Sequence, residues 1–159
     1  MSEQKDLTLT KKTFERLCEM LDEQKYNYSP NKEDFTLTIG FNTKDLPMDF
    51  YIRCDDAIKT VIVISKMPFK VPEDKYYQLS YALALINMSL ADGCFEFDFR
   101  DSTVSYRATT SYLESIISKG ALEYILDISC AIVDKYNDKL FMFLNDKLTI
   151  SELMDAICD

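Results

Sequence analysis

Phe95, Phe97 and Phe99 alternate with Glu96 and Asp98, and a few residues later Val104, Tyr106 and Ala108 alternate with Ser105 and Arg107. Side chains that repeat every second residue share one face of a strand and cannot share one face of a helix. The two runs therefore predict a half-buried β-hairpin. A turn at Asp101 and Ser102 places Phe99 opposite Val104, Phe97 opposite Tyr106 and Phe95 opposite Ala108. Glu96 then meets Arg107 on the wet face. Helical patterns ending in Leu83-Ala84-Leu85-Ile86-Asn87 and in Val133-Asp134-Lys135-Tyr136 flank the hairpin.

Upstream, residues 1–9 are polar and read as a loose tail. Thr10 is positioned to cap a first helix with Phe14, Leu17, Cys18 and Leu21 on one side, which ends before Ser29-Pro30-Asn31. Phe35, Leu37, Ile39 and Phe41 form a strand pattern. Met48, Phe50, Ile52 and Cys54 form another after a turn-like Asn42-Thr43-Lys44-Asp45. Residues 60–65 contain Val61-Ile62-Val63-Ile64, apolar on both faces, which predicts a strand covered on both sides. Residues 67–71 read as a connection. Pro72, Glu73 and Asp74 then open a helix reaching about Leu90, and Asp92-Gly93 ends it. Ser118 opens a long helix facing inward with Leu122, Ile125, Leu126, Ile132, Val133 and Tyr136, continuing through Leu140 to Leu144. Thr149 and Glu152 have capping-box spacing ahead of Ile150, Leu153, Met154 and Ile157. The order α-β-β-β-α-β-β-α with an added C-terminal helix predicts an α+β fold: an antiparallel five-stranded sheet with packed helices. With no repeat or linker, residues 1–159 read as a single domain, with its core at about 10–145 and the last helix at 149–157.

The helix after Pro72 carries more apolar surface than one buried stripe needs. Leu79, Leu83, Ile86 and Leu90 make the first stripe, and Tyr77, Tyr81, Leu85 and Met88 make a second. Either other helices cover the second within the monomer, or it is a dimer or partner surface, as aromatic and Met-rich patches favour.

Composition removes most chemistry. The chain has 27 acids against 18 bases, a net charge of -9, so nucleic acid is not an expected partner. It has no histidine, which excludes Ser-His-Asp and Cys-His sites. A zinc site would need cysteines, alone or with carboxylates, but Cys18, Cys54, Cys94, Cys130 and Cys158 are dispersed. They read as reduced thiols, Cys18 and Cys54 on core faces. Only Gly40, Gly93 and Gly120 occur, so no Gly-rich phosphate loop exists. Asp92, Glu96, Asp98 and Asp101 are the densest carboxylates, conceivable as a cation or acid-base site. Arg100 and Arg107 share their face, which makes ion pairing the simpler account. No apolar run resembles a signal peptide or a membrane span, so a cytoplasmic protein without membrane attachment is expected.

The element order resembles that of type III secretion chaperones and of the bacterial YbjN family, which shares their fold. The resemblance is densest around residues 83–110: a helix ending near Asn87, then Gly93-Cys94-Phe95-Glu96-Phe97-Asp98, a turn, and Val104-Ser105-Tyr106-Arg107. The later Asp134-Lys135-Tyr136-Asn137-Asp138-Lys139-Leu140 resembles the family's helix ending, although Asn137-Asp138 stands where a proline is often found. The resemblance implies a sensory-transduction or stress-linked regulator on a chaperone-like adaptor fold, with no catalytic residues to carry over. It also implies that the middle helix contributes to dimerisation. The expectation is a non-enzymatic, cofactor-free protein-interaction module with a polypeptide partner, forming a homodimer. A dedicated secretion chaperone for one substrate is one alternative. A small-ligand sensor or enzyme using the acidic hairpin face is another.

Overall fold

A computed structural model describes residues 2–42 and 45–158, with side chains described for 8–42 and 45–156. Helix α1 (Ser2–Glu23) starts well before the expected cap at Thr10, so residues 2–9 are helical and not a loose tail. Thr10 is instead buried mid-helix. Its hydroxyl donates to Asp56 at 2.5 Å and lies 2.9 Å from the Tyr112 hydroxyl, fastening α1 to two distant parts of the chain. Phe14, Leu17 and Leu21 are buried as their spacing predicts, whereas Cys18 is half-buried.

The sheet has six strands and not five: β1 (Tyr28–Asn31), β2 (Thr36–Phe41), β3 (Met48–Asp55), β4 (Thr60–Lys70), β5 (Cys94–Asp98) and β6 (Thr103–Ser111). Their spatial order is β1-β2-β3-β4-β6-β5, every pair antiparallel. The unexpected strand is β1, four mostly exposed residues interrupted by Pro30, and so without an alternation to read. Proline is tolerated there because β1 is an edge. Strand β4 continues to Lys70 where a connection was expected, with an irregular pairing between Lys66 and Lys70. The turn expected at Asn42-Thr43-Lys44-Asp45 lies partly outside the described residues.

After Pro72 a 3-10 turn (Glu73–Lys75) leads into α2 (Tyr76–Ser89). Helix α3 (Lys119–Leu144) is capped by Ser118, whose hydroxyl accepts from the Ala121 N–H. All six of its expected inward residues are buried. Before α4 (Ile150–Cys158), the Thr149 hydroxyl accepts from the Glu152 N–H at 3.2 Å and Glu152 accepts from the Thr149 N–H at 2.7 Å. Leu153 of α4 is fully buried, so the core extends beyond residue 145; the side chain of Ile157 lies outside the description.

Leu37, Ile39, Phe50, Ile52, Val61, Val63, Phe95, Val104 and Tyr106 join the helices in one core. The alternate face is covered only in part, where Val61-Ile62-Val63-Ile64 had predicted cover on both sides. Ile62 is buried but Ile64 is only half-buried; with Thr38 and Tyr51 it borders a concavity of about 760 Å³ that no described helix residue lines.

The β5-β6 hairpin keeps its predicted faces but not its predicted register. Phe95 pairs with Tyr106 and Phe97 with Val104, each two residues from the expected partner. The turn is wider, at residues 99–102, because two aspartates bond to backbone two positions on: Asp98 accepts from the Arg100 N–H at 2.9 Å and Asp101 from the Thr103 N–H at 3.2 Å. Phe99 therefore leaves the strand, is exposed, and meets Tyr76 edge-on and Phe97 at a tilt.

Candidate interaction surface

Helix α2 contains no charged residue. Its inner side, Leu79, Ala82, Leu83 and Ile86, is buried. On the other side Tyr77 is 92% exposed, Tyr81 60% and Met88 84%, with Leu85 half-buried between them. Positions 77, 81, 85 and 88 follow the i, i+4 and i+3 steps of one helix face, so the four form a continuous stripe. Nothing among the described residues covers the three most exposed members. Phe99 stands near the start of the helix through its contact with Tyr76, and Tyr124, whose hydroxyl bonds Asp92, stands just past its end. Both are exposed.

The helix is positioned at both ends. Tyr76 meets Phe97 edge-to-face with ring centroids 4.9 Å apart, and its hydroxyl lies 2.5 Å from that of Ser102. Asn87 is bonded to Phe95, and beyond the helix the Tyr106 hydroxyl donates to the Asp92 carbonyl at 3.0 Å. Burial pushes that Tyr106 hydroxyl up to about 12, so it donates as a neutral phenol at any ordinary pH. Sequence periodicity identified the stripe; these polar anchors have no periodic signal.

The wet face of the hairpin is a set of ion pairs. Glu96 binds the Arg107 guanidinium, while Asp98 takes Arg100 through Nε at 2.9 Å and NH2 at 2.6 Å. The Arg100 hydrogen bonds hold the Asp98 carboxyl down at about 2, the reverse of what a general acid needs. Asp92 is engaged by Tyr124, and Asp101 by Thr103. Glu96 and Arg107 meet although their backbones are not opposite one another, because long side chains reach diagonally across a sheet. No group of three or more potential metal ligands occurs among the described residues.

Among the described cysteines, Cys54 is buried, and Cys18, Cys94 and Cys130 are half-buried. Burial is the leading cause that raises all four thiols, Cys54 and Cys130 to about 12. A thiol held protonated is a weak nucleophile. No described helix is long and apolar enough to cross a membrane.

An antiparallel sheet with helices packed on one face, α2 between its two hairpin-bearing parts, defines a YbjN-like, chaperone-like fold. Two of the solved structures that share it are informative. YbjN of E. coli, a candidate transcription regulator, matches at a TM-score of 0.56 over 74% of this chain and 83% of its own, with 14% identity. The ExsC-ExsE complex matches at a TM-score of 0.60 over 81% of this chain and 96% of the matched chain, again with 14% identity. At that identity the likeness is one of fold. No family model matches the sequence, and no curated protein matches it.

Proposed function

We propose that this chain is a non-enzymatic, cytoplasmic protein-interaction module, an adaptor, regulator or chaperone-like protein, that pairs with a second copy of itself and binds a polypeptide. The observation carrying this reading is the stripe of Tyr77, Tyr81 and Met88, exposed around the half-buried Leu85, on a helix without charge. Aromatic side chains bury on the order of 150–250 Å² each, so Tyr77 and Tyr81 together supply roughly half of the ~800 Å² per partner of a standard interface. Phe99 and Tyr124, both exposed, stand near the two ends of the helix. Charge favours the same surface: two copies that each carry -9 repel, and α2 lets them meet without burying like charges. The likeness to a protein seen in complex with another, ExsC with ExsE, supports a polypeptide partner and keeps a dedicated secretion chaperone as the second reading.

The test is sedimentation of the wild type beside Tyr81→Glu with Leu85→Glu, with circular dichroism on both. The wild type should dimerise, more tightly as salt screens the net charge. The double variant should be a folded monomer. A wild type that stays monomeric at high concentration refutes self-association through α2, and affinity capture with partner identification then decides whether the stripe serves another protein.

A further inference from the structure

Strand β5 is an outer strand, with β6 on its inner side. Such an edge ordinarily exposes a row of N–H and C=O groups ready to pair with another chain. Here the Asn87 carboxamide meets it: Nδ2 donates to the Phe95 carbonyl at 2.9 Å, and the Phe95 N–H donates to Oδ1 at 2.8 Å. One side chain thus makes the reciprocal pair of bonds that a residue of a seventh strand would make. Because the polar groups of Phe95 point outward, those of Phe97 do too, while Cys94, Glu96 and Asp98 bond inward to β6. Five residues therefore offer two outward rungs, and Asn87 occupies one. At the opposite edge, β1 is four residues long and contains Pro30, which has no N–H to give. Asparagine is also a poor helix former. Its place in the last turn of α2 is explained by what it bonds.

We propose that Asn87 is an edge latch, whose carboxamide closes β5 to strand addition by another chain. A polypeptide partner is then not taken as a strand added to β5. That second clause rests on the reading of the chain as a polypeptide-binding module; the latch does not.

Amide hydrogen exchange of the full chain, followed by NMR, reads the latch directly. In the wild type the Phe95 N–H should be protected like that of Glu96, while Phe97 exchanges quickly. Asn87→Ala should speed exchange at Phe95 by about tenfold, the scale of one lost hydrogen bond, and leave Glu96 unchanged. The same variant should show an intermolecular-sheet band in the amide I infrared spectrum that grows with protein concentration and is absent from the wild type. Should Asn87→Ala not fold, Asn87→Asp takes its place. Its carboxylate still accepts from Phe95, so that amide stays slow, but the Phe95 carbonyl is freed and the concentration-dependent band should appear. Phe95 exchanging as fast as Phe97 in the wild type overturns the proposal. So does a folded Asn87 variant that never shows the band. A wild type found monomeric refutes pairing through α2 and leaves the Phe95 result untouched, so the two readings fail separately.

Discussion

Gly93 sits where α2 hands over to β5, and replacing it with alanine tests how tightly that joint is built. Its φ is +70°, in the left-handed region, where a Cβ costs about 1–2 kcal/mol. The added Cβ would collide with the Tyr106 hydroxyl oxygen and stand 2.8 Å from the Arg107 carbonyl oxygen. The tyrosine must move, which breaks its bond to the Asp92 carbonyl, worth about 1 kcal/mol. Because Tyr106 is wholly buried, moving its ring adds overpacking strain of about 1–3 kcal/mol. The total, about 3–6 kcal/mol, is a large share of the 5–15 kcal/mol by which domains are typically stable. Gly120→Ala is the control: nothing lies within 4 Å of its added Cβ, and in α3 the change should be neutral or stabilising by up to about 1 kcal/mol. Urea unfolding followed by circular dichroism measures both. Tyr106→Phe removes the nearest clashing atom, so Gly93→Ala should cost measurably less in that background. A Gly93→Ala protein within about 1 kcal/mol of wild type, or strict additivity with Tyr106→Phe, would refute the reasoning.

Phe95→Asp should cost more than about 4 kcal/mol, since the ring is buried against Tyr106 and Tyr136, while Glu96→Ala should cost at most about 1 kcal/mol. Phe97→Asp should fall between them because Phe97 is only half-buried, a milder outcome than the predicted register implied; urea midpoints give the ranking. Acid should weaken the fold modestly in a defined window, because the carboxyls concerned lie at the surface. The carboxyls of Asp56, Asp98, Asp101 and Glu152 are all lowered by their hydrogen bonds, Asp98 to about 2, so their contribution is complete above the unfolded values near 4 and is lost as pH falls from about 4 towards 2. A urea midpoint that rises as pH drops through that window would contradict this. Iodoacetamide at mildly alkaline pH should modify buried Cys54 far more slowly than a thiol in the urea-unfolded chain, as peptide mass mapping would show; equal rates would contradict its burial.

The one-sided alternation from Phe95 to Ala108, the surplus stripe on α2, the Ser118 cap and the Thr149-Glu152 box were legible in the sequence, because each is a local pattern of spacing. Local patterns define faces and ends. They do not define register, since a slip of two residues leaves every side chain on its own face; the Asp98 and Asp101 turn bonds decide that point, and only in retrospect are they a readable signal. Strand β1 was hidden because four residues with a proline have no period. The unbroken apolar run in β4 looked covered on both sides, yet which face the helices took depends on packing among distant elements. The bonds from Thr10 to Asp56 and Tyr112, from Tyr106 to Asp92 and from Asn87 to Phe95 join residues by shape and polarity with no periodic trace. The sequence by itself determined which side of each periodic element is apolar, because alternation and helical spacing are local. The tertiary structure alone decided which polar groups meet, because a hydrogen bond requires atoms placed within a fraction of an ångström and that placement belongs to the whole fold.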